Sequence, residues 1–252
     1  MSDVSLPLTL GLAAAAFVAG MVDAIGGGGG LITVPALLAA GLDPRVALAT
    51  NKGQAVFGAV SSAASFGRHG AVAPERVKVA FAAGFVGSLL GALLLVTRRP
   101  EPLRPLVIVL LLTALAVALV PRDRLPKLTP RHPTVALVAV SLGLGAYDGF
   151  FGPGVGSMLI VANVVLFQEP LVRASGNAKI VNLASNLAAF GLFAARGAIL
   201  WRVALPMAIA NALGANVGAR LALKGGERLV RRVVVCVVLA VVAKLLRDVV
   251  KG

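Results

Sequence analysis

The chain has 252 residues, of which 58% are hydrophobic and only 13% are charged, and its mean hydropathy is +0.94. Soluble domains of this length are about one-quarter charged, so this composition leaves too little polar surface for a soluble protein and indicates an integral membrane protein. The net charge of +14 would suggest nucleic-acid binding in a soluble protein, but here the basic residues lie between apolar runs, so we expect contact with the lipid bilayer and no nucleic-acid partner.

Eight apolar runs approach the roughly 20 residues that a helix needs to cross a bilayer. In chain order they cover residues 6–25, 46–66, 77–96, 103–120, 134–147, 178–195, 203–223 and 229–243. Two further runs, 31–42 and 155–167, are shorter than a full span, and each follows a glycine-rich stretch. The sequence therefore predicts an all-α polytopic membrane protein of eight to ten helical segments, with short or broken helices at the glycine-rich motifs.

The first glycine-rich stretch has five consecutive glycines, Gly26 to Gly30, shortly after Asp23. Five glycines in a row are not expected to hold a helix. Inside a bilayer, the backbone groups that they free need cover from protein or from a water-filled cavity. A helix that begins at such a break points its first N–H groups toward it and attracts negative charge. We therefore interpret Gly28 and Gly29 as candidate anion contacts; a flexible connection or a tight helix crossing is the alternative.

The second half of the chain repeats the motifs of the first half in the same order. Asp148 precedes a second break, as Asp23 precedes the first, and Gly154 in this second break is a third candidate anion contact. Matching residues are 125 apart at these aspartates, and 127 apart from Lys52 and Lys179 onward. We therefore expect a duplication, with one repeat in residues 1–125 and the other in residues 126–252, both transmembrane. Five segments per half would invert the second copy, and four would not.

The two lysines are the sharpest candidates for a functional site. Lys52 and Lys179 lie in or near apolar segments, where an ionisable side chain is costly and points to function by default. Amide side chains accompany them, namely Asn51, Gln54, Asn177, Asn182 and Asn186. On a helix, Lys179, Asn182 and Asn186 share one face, which would present a cation and amide donors to an oxyanion. The alternative is that both lysines extend to the lipid headgroups or pair with Asp23 and Asp148.

The two aspartates are candidates for proton coupling. Desolvation favours the neutral form of a carboxylic acid, so Asp23 and Asp148 would be able to bind and release a proton during transport. As helix caps or lysine partners they would instead have a structural role. The sequence leaves both interpretations open.

Four motifs resemble the sulfite exporter TauE/SafE family. They read GMVDAIGGGGGLITVPALL and LATNKGQA in the first half, and YDGFFGPGVGS and AKIVNLASNLAA in the second. The resemblance covers almost the whole chain in the expected order. It implies a permease of two related halves in a prokaryotic inner membrane that moves sulfite, organosulfonates or similar sulfur-containing anions. It also suggests which positions line the pathway: Asn51, Lys52, Lys179, Asn182 and Asn186.

We therefore expect a secondary anion transporter that exports its substrate, is coupled to a proton gradient and holds the substrate between the two repeats. A passive anion channel, or a transporter of a different small organic anion, is the alternative. We expect no enzymatic activity, because the sequence has no H-E-x-x-H motif, no G-x-S-x-G motif and no cluster of histidine and cysteine. No cofactor and no metal are expected. Whether the protein forms a homodimer is left open.

Overall fold

The computed structural model describes residues 6–97, 109, 113 and 127–225. Within these ranges the chain forms eight helices and no strand. They are α1 (Leu6–Gly26), α2 (Gly30–Ala39), α3 (Pro44–Arg68), α4 (Pro74–Thr97), α5 (Pro133–Phe150), α6 (Val155–Phe167), α7 (Leu171–Ala195) and α8 (Trp201–Leu223). The predicted segment 229–243 and nearly all of segment 103–120 lie outside the described residues.

Four of these helices, α1, α4, α5 and α7, are long and apolar enough to cross a membrane. The short apolar helices α2 and α6 have 10 and 13 residues and follow the two glycine-rich stretches. The outward faces of α4 and α8 carry apolar side chains at helical spacing, among them Leu90 and Ile209, and such faces suit contact with lipid. The predicted class, an all-α polytopic membrane protein with short helices at glycine-rich motifs, is confirmed.

Helix α7 begins earlier than the hydropathy pattern predicts. It starts at Leu171 rather than at residue 178, directly after Pro170. Its first two turns contain Arg173, Ser175 and Asn177, and these polar residues hide the helix from a search for apolar runs. The start of a mostly buried helix is therefore set here by tertiary contacts as well as by apolar periodicity.

The first break is narrower than the five-glycine run predicts. Gly26 ends α1 and Gly30 begins α2, so only residues 27–29 lie outside a helix. Gly27 and Gly28 have positive φ angles of 70° and 107°, which L-residues rarely adopt. The expectation that the whole run is non-helical was wrong for the two outer glycines. Gly26 is the last residue of α1, and Gly30 is the first residue of α2.

The most extensive helix contacts connect the two halves of the chain. The pairs are α1 with α8, α4 with α5, α3 with α8 and α4 with α7. Gly-x-x-x-Gly motifs lie in two of these contacts. A Cβ atom at Gly91 of α4 would lie 1.9 Å from the Ala146 carbonyl oxygen of α5, and one at Gly214 of α8 would lie 1.9 Å from the Phe17 carbonyl oxygen of α1. Both motifs serve helix packing, since only glycine permits this approach.

Candidate functional site

The two glycine-rich breaks contact each other. A Cβ atom at Gly27 would lie 2.1 Å from the backbone nitrogen of Ser157, near the start of α6. The Ser157 hydroxyl donates a hydrogen bond back to the Gly26 carbonyl oxygen at 2.8 Å. This close contact places the first turns of α2 and α6, which belong to different halves, side by side.

Lys52 of α3 is buried and forms an ion pair with Asp148 of α5. The Nζ atom of Lys52 donates to Asp148 Oδ1 at 2.5 Å, and the two residues are only 3% and 2% exposed. The other carboxylate oxygen of Asp148 accepts a hydrogen bond from the Ser185 hydroxyl of α7. One buried carboxylate therefore connects three helices.

Lys179 of α7 forms the second ion pair, with Asp23 of α1; Lys179 is buried, whereas 25% of the Asp23 side chain is exposed. Its Nζ atom donates to Asp23 Oδ2 at 2.7 Å and also to the backbone oxygen of Asp23. Asp23 Oδ1 accepts hydrogen bonds from the backbone nitrogens of Gly28 at 3.1 Å and Gly29 at 3.3 Å. Asp23 therefore caps the first break and ties it to α7.

Each lysine thus pairs with the aspartate of the opposite half. Lys52 and Lys179 do not extend to the headgroups, because both are buried. In this conformation both lysines form ion pairs with the aspartates, which is the alternative that the sequence left open. Such pairing is what lets four charged groups lie among apolar helices, since an unpaired buried charge is costly.

A cavity of about 40 Å³ lies between these elements, with room for about three water molecules. Ten of the twelve predicted site residues line it: Asp23, Gly28, Gly29, Asn51, Lys52, Gln54, Asp148, Gly154, Asn182 and Asn186. The first residues of α2 and α6, Gly30 and Val155, line it as well, so the positive ends of two helix dipoles face the cavity.

Two predicted residues do not line this cavity. Lys179 reaches it only through Asp23, to which it is bonded. Asn177 lies elsewhere: its Oδ1 atom accepts a hydrogen bond from the Ala73 backbone nitrogen at 2.8 Å, and it lines a smaller cavity beside Arg76. The reason is geometric, because residues two apart on a helix, as Asn177 and Lys179 are, point in nearly opposite directions.

Two polar residues of the site were missed from the sequence. Asn211 of α8 lines the cavity and donates to the Ala16 carbonyl oxygen at 3.3 Å. Thr33 of α2 donates to Asn51 Oδ1 at 2.5 Å, and Gln54 donates to the same oxygen at 2.9 Å. Each of the missed residues had a usable signal, since an isolated polar side chain in an otherwise apolar segment marks a buried polar contact.

The donors around the cavity suit an anion. Lys52 supplies a positive charge, the amides of Asn182 and Asn186 supply N–H groups, and two helix N-termini add partial positive charge. Among the residues that the structure describes, no group of three His, Cys, Asp or Glu side chains is placed to hold a metal ion.

The sequence profile of the sulfite exporter TauE/SafE family matches residues 12–245. The chain belongs to this family. The "Probable membrane transporter protein ORF9" of Sinorhizobium sp is 39% identical to this TauE/SafE protein over 98% of this chain and 96% of that one. The "Probable membrane transporter protein" of Haemophilus influenzae is 40% identical over 98% of this chain and 97% of that one. The "Probable membrane transporter protein YfcA" of Escherichia coli K12 is 39% identical over 96% of this chain and 91% of that one.

No solved structure is significantly similar to this chain. The family, the relatives and the apolar helices together make this TauE/SafE protein a multi-pass membrane transporter of the cell membrane. The named relatives are bacterial, in agreement with the inner-membrane location that the motifs imply.

Proposed function

We propose that this TauE/SafE protein is a proton-coupled secondary transporter that exports sulfite, an organosulfonate or a related small anion. The observation that carries the proposal is Lys52, a lysine that is 3% exposed and lines a cavity together with amide groups and two helix N-termini. A buried ammonium group needs an anionic partner. Asp148 is that partner in this conformation, and a solute oxyanion has the chemistry to replace it.

The cavity also indicates how the site must work. It has room for a few water molecules, so loading a sulfonate requires the helices around it to move apart. The residues that line it come from both halves of the chain. Many secondary transporters bind their substrates at such an interface between two halves. The proposed site is therefore too small for a sulfonate in this conformation and enlarges by movement of one half against the other.

Matched contacts support the proposed duplication into residues 1–125 and 126–252. The ion pair of Lys52 with Asp148 has its counterpart in that of Lys179 with Asp23. The Thr50 hydroxyl accepts from the Leu200 backbone nitrogen at 3.1 Å, and 127 residues later Asn177 accepts from the backbone nitrogen of Ala73. The helix pair α1–α8 corresponds in the same way to α5–α4. A substrate site between two related halves follows from this arrangement.

Flux measurements in reconstituted vesicles test the proposal. We expect saturable uptake of labelled sulfite that depends on a proton gradient. Lys52→Gln is expected to lower the flux about 10- to 100-fold, since a charge-assisted contact contributes about 1.5–3 kcal/mol. Lys78→Gln is the matched control, because Lys78 is exposed on α4.

Thermal unfolding in detergent shows whether both variants are folded. Equal fluxes for the folded Lys52 and Lys78 variants would contradict the site assignment. Flux that neither saturates nor responds to the proton gradient would favour a passive anion channel instead.

A further inference from the structure

The two lysine–aspartate pairs occupy matching places in the sequence but differ in their surroundings. Both members of the Lys52–Asp148 pair line the cavity, whereas only the aspartate of the Lys179–Asp23 pair does. Lys179 is fully buried. A solute that enters the cavity therefore meets the ammonium group of Lys52 and not that of Lys179.

Asp23 is held by more bonds than Asp148. It accepts from Gly28, from Gly29 and from Lys179, and its backbone oxygen accepts from Lys179 as well. Opening this pair would release the first break along with the ion pair. Asp148 accepts only two hydrogen bonds from described residues, from Lys52 and from Ser185.

The sequence accounts for one of the two backbone hydrogen bonds that Asp23 accepts from its break and Asp148 lacks. At a spacing of 125 the residue that matches Gly28 is Pro153, which has no backbone N–H to donate. The Ser185 hydroxyl supplies a donor to Asp148 instead, and at a spacing of 127 its match is Gly58, which has no side chain. The second break can therefore keep its shape when Asp148 changes partners.

We propose that the two pairs have different roles: Lys52–Asp148 opens to take one anion on Lys52 and one proton on Asp148, whereas Lys179–Asp23 stays closed and positions the first break. This inference rests on the proposed anion transport. In the opening step the contact between Lys52 Nζ and Asp148 Oδ1 breaks, the anion takes the place of that oxygen, and a proton from water binds the carboxylate.

Charge balance in the cavity requires both events together. An anion without the proton would leave two negative groups on one buried ammonium, and a proton without the anion would leave Lys52 unpaired. Either state carries the cost of an uncompensated buried charge. When both bind, the net charge of the site is unchanged.

The other titratable groups near Asp148 do not supply an alternative partner. Asp23 also lines the cavity, but its carboxylate is already paired with Lys179. On α5 itself, Tyr147 donates its hydroxyl to the Pro153 carbonyl oxygen at 3.1 Å. Helix α4 presents Ser88 and Gly91 to α5, and α6 contains no charged residue.

Anion and proton then move in the same direction. Net export requires an outward gradient of the anion that exceeds the inward gradient of the proton, and the membrane potential does not oppose a monovalent anion that travels with one proton. This separates the proposal from an exchange of an outgoing anion for an incoming proton.

Calorimetry with methanesulfonate tests the division of roles, because this anion stays ionised across the working range of pH. Titrations in buffers of different ionisation enthalpy report how many protons the protein takes up per anion bound. We expect about one proton for the wild type and about one for Asp23→Asn, which should also lower the unfolding temperature. For Asp148→Asn we expect no proton uptake and an affinity that no longer depends on pH. Proton uptake that survives in Asp148→Asn, or that is lost in Asp23→Asn, would overturn the proposal.

A second measurement detects the protonated carboxylic acid directly when methanesulfonate binds. Infrared difference spectra between the methanesulfonate-bound and the free protein should show a newly protonated carboxylic acid in the wild type and in Asp23→Asn, but not in Asp148→Asn; the reverse pattern would overturn the division of roles. If Asp23→Asn does not fold, the double variant Asp23→Asn, Lys179→Gln takes its place in both experiments, because it leaves no unpaired charge at this position. A wild type that binds neither sulfite nor methanesulfonate would contradict the proposed transport function, whereas a wild type that binds the anion without protonating Asp148 would contradict only the division of roles.

Discussion

At the scale of single residues, the site depends on compensation of buried charge. Lys52 and Asp148 are 96 positions apart in the chain, yet they meet with less than a twentieth of either residue exposed. A pair in such surroundings contributes little net stability, because desolvation offsets the attraction, but loss of one partner leaves a charge without compensation. The pair therefore constrains which variants can fold.

Removal of Lys52 alone should destabilise the protein more than removal of both partners. We expect Lys52→Met to lower the free energy of unfolding by about 3–5 kcal/mol, since it leaves Asp148 buried and unpaired. The double variant Lys52→Met, Asp148→Asn should recover most of this loss. Unfolding in detergent micelles measures both, with the exposed Lys224→Met as the control. A double variant no more stable than Lys52→Met would contradict the argument.

At the scale of helices, glycine decides how closely the segments approach. Gly87 and Gly91 lie one turn apart on α4 and face α5, where added Cβ atoms would lie 2.1 Å and 1.9 Å from carbonyl oxygens. Gly143 lies on α5, and an added Cβ atom there meets nothing within 4 Å. The same residue type therefore has two roles within one helix pair.

This contrast predicts opposite effects of the same substitution. Gly91→Ala should destabilise the protein by about 1–3 kcal/mol, because α4 and α5 must move apart to admit the methyl group. Gly143→Ala gains the same intrinsic helix propensity, about 1 kcal/mol or less, without any contact to disturb, and should be neutral or slightly stabilising. Thermal unfolding of the two variants in one detergent compares them. Equal losses would show that α4 and α5 are not packed as closely as described.

At the scale of the whole molecule, the two halves depend on each other. The main helix pairs α1–α8, α3–α8, α4–α5 and α4–α7 all cross between the halves, and so do both lysine–aspartate ion pairs. Each half by itself would contain one lysine and one aspartate whose ion-pair partners lie in the other half. The two halves of the chain therefore fold as one unit.

Chains cut between residues 125 and 126 should therefore assemble only when they are produced together. We expect residues 1–125 and 126–252 to be degraded or aggregated when expressed singly, because each would leave a lysine and an aspartate without partners in lipid. Co-expression should yield a complex that purifies through a tag on either half. A half that is monodisperse and helical by itself would refute this interdependence.

Much of the fold followed from composition and pattern. Apolar runs located α1, α3, α4, α5 and α8 to within a few residues, because a span needs a fixed length of apolar chain. The start of α7 was missed, since its first turns carry the polar residues Ser175 and Asn177, which are buried against other helices. The hydropathy pattern reports whether a segment is apolar on average. It locates the ends of a helix less accurately where the helix packs against polar groups of the protein.

The sequence by itself determined that the protein lies in a membrane, that its helices break at two glycine-rich stretches, and that Lys52 and Lys179 require a special environment. Only the tertiary structure decided that each lysine pairs with the aspartate of the opposite half, that Asn211 joins the cavity and that Asn177 turns away from it. The physical reason is that the cost of burying a charge depends on the type of residue and on the apolar segment around it, and both are visible in the local sequence. Its partner is chosen by which helices pack together, over separations of 96 and 156 residues that no local pattern encodes.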